Sequence, residues 1–113
     1  MRTNPIICTS AHLRTTKATA KIAKDIAQVL ERVGIEHIEL QNTNDYWCRD
    51  YMPVRLFDDV AYSKYIYRPD YLWDAKSKQR YITNQTDACK ELDLFTPTDM
   101  GIIFDGGNYV RWN

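Results

Sequence analysis

The feature that most constrains the fold is one amphipathic helical pattern between two short apolar segments near the start of the chain. Its apolar residues recur at helical spacing and are Ile22, Ile26, Val29, Leu30 and Val33. Thr15 or Thr16 is the expected N-cap, and Gly34 stands where a left-handed glycine would end the helix. Residues 5–9 and 35–40 have the patterns of short strands. We therefore predict a β-α-β unit whose two strands pair in parallel.

The middle of the chain is predicted to form a hairpin. Residues 47–57 read as extended, with Pro53 confining them to an edge or an irregular position. A turn is expected at 57–59, and residues 60–67 alternate as a second strand that would pair with the first. The hairpin would follow the polar loop at 41–45.

The last third combines helical segments with one buried strand. Residues 73–94 are predicted to be mostly helical, or two shorter helices if 81–86 forms a loop. A loop is expected at 95–99. A strand is predicted at 101–104, followed by a tight Gly-Gly turn and a final extended piece at 109–112.

Composition restricts the class of protein. The 113 residues are 44% hydrophobic and 27% charged, which is typical of one globular domain over residues 1–113. Because 15 basic residues balance 15 acidic ones, we expect neither a nucleic-acid partner nor a membrane surface. Cys8, Cys48 and Cys89 are scattered and lack metal-ligand spacing, so we expect no metal or other cofactor and a reducing, cytoplasmic location.

The first candidate site is the run Asn-Asp-Tyr-Trp-Cys-Arg-Asp-Tyr-Met-Pro at 44–53. Asp50 lies among aromatic and apolar residues, where a carboxylate needs a partner. The structural alternative is an ion pair with Arg49 or Arg55. The functional alternative is a guanidinium ligand, which a carboxylate can hold by two N–H groups while Trp47 covers its face. Spacing alone favours the ion pair.

The second candidate site is the run Phe-Asp-Gly-Gly-Asn at 104–108. It is either a plain strand-to-strand turn or the edge of a site in which Asp105 acts as a base or an orienting carboxylate. His12 and His37 have no partner at catalytic spacing and are assigned structural roles. Cys48 is also read as structural, because in an extended segment it shares a face with Asp50.

Taken together, these two runs resemble the agmatine deiminase and bacterial peptidylarginine deiminase family of the guanidino-group-modifying superfamily. The matching segments are Asn-Asp-x-Trp-x-Arg-Asp-x-x-Pro at 44–53, Asp-Gly-Gly-Asn at 105–108 and the aromatic stretch at 67–72 between them. The resemblance implies an α/β, or α+β, fold of the pentein type, a fan of ββαβ units. These 113 residues would hold one unit and part of a second, an incomplete α/β propeller.

The family resemblance also implies roles for individual residues. Asp50 matches the carboxylate that grips the guanidinium, and Trp47 matches the aromatic that lines the cleft. Asp105 stands where many relatives have Glu, and Asn108 belongs to the same turn. In the family, a cysteine thiolate attacks the guanidinium carbon without a metal. Catalytic roles are therefore expected for Asp50 and Asp105, and substrate-binding roles for Trp47, Asp50 and Asn108.

Departures from the family pattern limit the activity that is expected. The family's His-x-Asp motif and its late nucleophilic Cys have no counterpart in these residues. We expect the N-terminal segment of a deiminase, inactive alone, whose ligand is a guanidino small molecule or an arginine side chain. Its sheet would be completed by a further C-terminal segment or by oligomerisation. The alternatives are a non-enzymatic interaction module and, less favoured because no glycine-rich phosphate loop follows the first strand, a flavodoxin-like domain.

Overall fold

The computed structural model describes residues 5–55, 62–92 and 98–110. These residues form an α+β fold with two separate sheets, each made of two parallel strands. The strands are β1 (Ile6–Ser10), β2 (Glu36–Leu40), β3 (Ser63–Ile66) and β4 (Thr98–Ile103). The α-helices are α1 (Ala11–Thr15), α2 (Ala20–Val33), α3 (Cys48–Tyr51), α4 (Asp70–Trp73) and α5 (Gln85–Cys89). Two 3-10 helices span Lys76–Tyr81 and Gly106–Asn108.

The predicted β-α-β opening is confirmed. Strands β1 and β2 pair in parallel, with Ser10 opposite Leu40 at the end of the ladder. Helix α2 ends at Gly34, which has the left-handed φ of 73° that favours glycine. The predicted N-cap at Thr15 or Thr16 is wrong, because a short helix α1 intervenes and α2 begins after Thr19.

Helix α2 buries only part of the apolar stripe that the spacing predicts, and Ile26 within that stripe is half-buried. Ala23 and Leu30 are buried, whereas Ile22, Val29 and Val33 are 56%, 49% and 57% exposed. A sheet of two strands offers a narrow surface. Part of the apolar stripe on α2 is therefore left in contact with solvent.

The predicted extended segment at 47–57 is wrong at its start, where residues 48–51 form helix α3. The Asp45 carboxylate accepts the Trp47 N–H at 2.9 Å, a local turn that bends the chain into the helix. Met52 is extended and ends the helix, as expected for the residue before Pro53. The argument that Cys48 and Asp50 share a strand face therefore does not apply.

The predicted hairpin is reduced to one antiparallel bridge between Val54 and Ser63. The regular partner of β3 is β4, which lies parallel to it, with Ser63 opposite Thr98 and Ile66 opposite Ile103. The predicted turn at 57–59 lies outside the described residues. A local pattern indicates a strand, but it cannot choose between two possible partners.

Helical structure after Asp70 is divided into short pieces. Helix α4, the 3-10 helix Lys76–Tyr81 and helix α5 replace the long helix predicted at 73–94, so the alternative with shorter helices is the correct one. Asn84 caps α5 by accepting the Asp87 N–H at 3.1 Å. Residues 98 and 99 belong to β4 rather than to the predicted loop, and 95–97 and 111–112 lie outside the described residues.

The core beneath β3 is rich in tyrosine. Tyr51, Tyr65 and Tyr67 are buried together with Val54, and the rings of Tyr51 and Tyr67 meet edge to face at 5.7 Å. The buried Gln85 side chain accepts the Tyr65 N–H at 2.7 Å and donates to the Tyr51 carbonyl. This bridge joins α3 to β3. Within the described ranges, no helix combines the length and apolarity needed to cross a membrane.

Candidate functional site

The two motif segments pack directly against each other. Gly106 is buried, and a Cβ placed there would overlap the Arg49 carbonyl oxygen and the Tyr65 hydroxyl. A Cβ on Gly107 would overlap the Asp50 carboxylate. Only glycine allows so close an approach. The Gly-Gly pair therefore serves to bring its backbone against helix α3 and the Asp50 side chain.

Helix α3 is held in place by hydrogen bonds from outside the helix. The Tyr65 hydroxyl lies 2.8 Å from both the Asp50 and Met52 carbonyl oxygens, to which it donates. The Arg49 guanidinium donates to the Tyr109 carbonyl at 3.0 Å, beyond the glycines. These contacts hold the backbone of Asp50 on both sides, so a four-residue helix becomes a stable platform.

The Asp50 carboxylate faces an open cleft of about 650 Å³ lined by Tyr46, Trp47, Cys48, Arg49, Asp50 and Gly107. Trp47 is 59% exposed, and its ring lies 5.1 Å from that of Tyr46. In the part of the chain that the structure describes, Asp50 forms no salt bridge. The structural ion pair with Arg49 or Arg55 that spacing favoured is not formed among these residues, and the Arg49 guanidinium donates to the Tyr109 backbone carbonyl instead.

Further carboxylates lie near Asp50. Burial raises the pKa of Asp105, and the charges of Asp50 and Asp70 raise it further. Burial also raises the pKa of Asp45. The hydrogen bond from the Trp47 N–H lowers this pKa, and the charge of Asp50 raises it. The charge of Asp50 thus acts on both Asp45 and Asp105, and the charge of Asp70 acts on Asp105. A cation bound near Asp50 would offset these repulsions.

The raised pKa of Asp105 predicts how the stability of the fold depends on pH. Because its pKa is raised by folding, the free energy of unfolding should fall as pH rises from about 4 through the raised pKa. Asp105→Asn should remove this loss and raise stability at pH 7, by less than about 1 kcal/mol because solvent screens partly exposed charges. Thermal denaturation at pH 4 and pH 7 checks it. An equal effect of the substitution at both pH values would contradict it.

Some of the predicted site residues line the cleft and others do not. Trp47 and Asp50 line the cleft, and Asp105 is half-buried beside it, within electrostatic reach of Asp50. Asn108 is exposed at the end of a 3-10 helix and is not among the residues that line the cleft. Sequence reasoning missed Asp45 and Asp70. The Asn-Asp dipeptide at 44–45 and the Pro-Asp dipeptide at 69–70 were read only as loop and turn signals.

The other candidate nucleophile and bases have structural surroundings. Cys48 packs against the tyrosine core. Burial raises the pKa of its thiol, and the charge of Asp45 raises it further. The hydrogen bond with Tyr51 lowers the pKa, but not enough to cancel the effect of burial. A protonated thiol is a poor nucleophile. A ring nitrogen of His12 lies 2.7 Å from the Thr43 carbonyl oxygen, and one of His37 lies 2.7 Å from the Thr9 hydroxyl. Each histidine thus joins neighbouring segments.

The carboxylates around this cleft do not converge on a common position. Within residues 5–55, 62–92 and 98–110, no group of three or more His, Cys, Asp and Glu side chains is placed to hold a metal ion.

Comparison of the chain with protein-family models, with curated proteins and with solved structures finds no match.

Proposed function

We propose that this chain is the N-terminal segment of a guanidine deiminase-like hydrolase, of the agmatine or peptidyl-arginine type, and that Asp50 is its guanidinium-binding carboxylate. One observation carries the proposal: the Asp50 carboxylate, which forms no salt bridge with any described residue, lines one cleft with the exposed Trp47 and with Gly107 of the Gly-Gly turn packed against it. The two segments of the family resemblance thus form one cleft, although they are far apart in the chain.

The chemistry of this cleft suits a planar cation. A carboxylate binds guanidinium through two parallel N–H···O bonds, which gives both energy and orientation. An aromatic face such as Trp47 attracts the same cation through its ring. The neighbouring acidic side chains of Asp45 and Asp105 add negative potential.

The pentein-type arrangement is part of the same proposal. Its support is the repetition of a parallel strand pair, first β1 with β2 and then β3 with β4. Each pair is too narrow to bury both faces of a sheet by itself. In the proposed arrangement, the pairs are components of successive units around a polar centre at which Asp50 lies.

Binding without turnover is the test of this proposal. The purified chain should bind agmatine saturably in calorimetry, with a dissociation constant in the range of about 1 mM or tighter expected for one well-oriented ionic contact. Butane-1,4-diamine, which has an ammonium in place of the guanidinium and the same double positive charge, should bind more weakly. Ammonia should not accumulate in the same samples, because the thiol of Cys48 is protonated and no His-x-Asp motif is present.

Two results would contradict the proposal. Absence of any saturable heat with agmatine at about ten times the expected dissociation constant would remove the cation site. Steady release of ammonia would instead show that the catalytic groups were wrongly assigned. Butane-1,4-diamine binding as tightly as agmatine would show that the cleft does not recognise the guanidinium plane.

A second candidate function is a non-enzymatic interaction module that completes itself by oligomerising. The observation that favours it is the exposed apolar stripe of α2, formed by Ile22, Val29 and Val33. A second copy of the chain could cover this stripe. Sedimentation over a range of concentrations separates the two functions, since a dimer supports the module and a monomer at all concentrations counts against it.

A further inference from the structure

The loop that carries Trp47 into the cleft is held by a distant part of the chain. This cleft loop, residues 41–47, lies in neither sheet and ends where helix α3 begins. Trp47 itself is 59% exposed, so packing against the core does not fix its ring. The position of the ring therefore depends on the backbone that precedes it and on the contacts of that backbone.

The start of the cleft loop is held from two sides. The Glu91 carboxylate, just beyond helix α5, accepts the Gln41 N–H at 2.6 Å and the Asn42 N–H at 2.7 Å. Hydrogen bonds to a charged acceptor are among the stronger ones in proteins. On the other side of the loop, the Thr43 hydroxyl lies 2.6 Å from the Ser10 hydroxyl at the end of β1. The first residues of the loop are thus fixed before the chain enters the cleft.

Thr83 holds the residue that directly precedes Asp45. Its hydroxyl oxygen accepts the Asn44 N–H at 2.8 Å, across 39 residues of sequence, and Thr83 is 1% exposed. The Asp45 carboxylate in turn accepts the Trp47 N–H at 2.9 Å. A buried hydroxyl therefore fixes the backbone from which the turn to Trp47 starts. Without it, the Asn44 N–H would need another partner, and the turn would shift with it.

We propose that Thr83 is a positioning residue for the guanidinium site, which sets the places of Asp45 and Trp47 by holding Asn44. This inference rests on the proposed function of the cleft. It concerns recognition of the guanidinium plane rather than attraction of charge, because the ring of Trp47 must lie against the face of the cation. A ligand whose cationic groups are not planar should therefore be less affected by loss of the Thr83 hydroxyl.

Thr83→Val tests the proposal, since valine has nearly the same shape and lacks the hydroxyl. Agmatine affinity measured by calorimetry should fall about 3- to 10-fold, the effect of one lost hydrogen bond. Affinity for butane-1,4-diamine should change less, so the selectivity for agmatine should fall. Thr83→Ser, which keeps the hydroxyl, should retain the agmatine affinity and the selectivity of the wild type.

Selectivity separates a positioning role from a merely structural one. A hydroxyl that only stabilises the fold would change the melting temperature and the fraction of chains able to bind, but not the selectivity of the folded chains. The matched control is Thr86→Val in helix α5, where the hydroxyl accepts the Lys64 ammonium at 3.1 Å rather than an N–H of the cleft loop. Unchanged selectivity in Thr83→Val would overturn the inference, and so would an equal loss in Thr86→Val.

A second measurement uses the wild-type chain and decides the question even if Thr83→Val does not fold. If agmatine binds only while the cleft loop is held by Thr83, binding must oppose local opening of that loop. Hydrogen exchange of the Asn44 amide, followed by NMR, should slow about tenfold when free agmatine is at about ten times its dissociation constant. The Leu30 amide in helix α2 is the reference. Exchange at Asn44 that agmatine leaves unchanged, or slows no more than at Leu30, would overturn the inference.

These experiments also separate the role of Thr83 from the proposed function beneath it. If the wild-type chain binds no agmatine saturably, the proposed function fails and the role of Thr83 fails with it. If the wild type binds agmatine, and Thr83→Val binds it with the same affinity and selectivity, then the cation site stands and only the role of Thr83 is refuted.

Discussion

Asp50→Asn is expected to weaken agmatine binding by about 10- to 100-fold, the effect of losing hydrogen bonds to a charged group. The amide has nearly the same shape, so the cleft and the contact with Gly107 should be retained. It presents one acceptor oxygen instead of two and carries no charge. Calorimetric titration of the variant beside the wild type measures the difference.

Stability distinguishes a binding role of Asp50 from a structural one. Because the charge of Asp50 repels those of Asp45 and Asp105, its removal should leave the melting temperature at pH 7 unchanged or raised. A large loss of stability would indicate that the carboxylate has a structural partner.

The matched control for this substitution is Asp25→Asn on helix α2. The Asp25 carboxylate is exposed and pairs with Lys21 at 3.2 Å, one turn away, an interaction of little energetic weight. The control should bind agmatine as the wild type does. If both variants lose affinity equally, agmatine is responding to the overall charge of the protein, and a specific site at Asp50 is ruled out.

Gly106→Ala is the substitution that we expect to damage the fold most. The added Cβ would meet the Arg49 carbonyl oxygen and the Tyr65 hydroxyl, and it would lie 3.2 Å from the Met52 carbonyl oxygen. Two of these atoms belong to the backbone of α3 and its end, so they cannot rotate away. Overpacking of this kind costs about 1 to 3 kcal/mol of unfolding free energy. Chemical denaturation measures it.

Gly107→Ala provides the contrast, since its Cβ would meet only the carboxylate end of Asp50. A side chain can rotate, and Gly107 is exposed, so stability should change by less than about 1 kcal/mol. Displacement of the carboxylate should instead reduce agmatine affinity. A Gly106→Ala variant as stable as the wild type would contradict the close packing of the two segments. Equal stability losses in both variants would contradict the distinction between them.

The local sequence pattern was sufficient to predict the secondary structure and strand pairing of the first 40 residues. Helical spacing and Gly34 correctly placed most of α2 and its end, and the flanking strand patterns correctly gave the parallel pair β1 and β2. These features depend on residues that are close in sequence and on the general handedness of β-α-β units. The sequence also singled out both segments that meet in the cleft, those around Asp50 and Gly106.

Only the tertiary structure decided the conformation of those two segments and the contacts that they make. The helix at 48–51 is only four residues long, and it is held by the distant Tyr65 hydroxyl and by the bond between Arg49 and Tyr109. No local propensity predicts a contact of that kind. The parallel partner of β3 and the exposed stripe on α2 were likewise settled by long-range packing.

The residues around the cleft also divide into those that the sequence could suggest and those that only the folded structure brings together. Trp47 and Asp50 could be proposed as site residues only through the resemblance of their segment to a known family, because spacing alone favoured a structural ion pair. The neighbouring charges of Asp45 and Asp70 could not be proposed in this way. Proximity and burial are properties of the folded chain, and they arise only when segments far apart in sequence pack together.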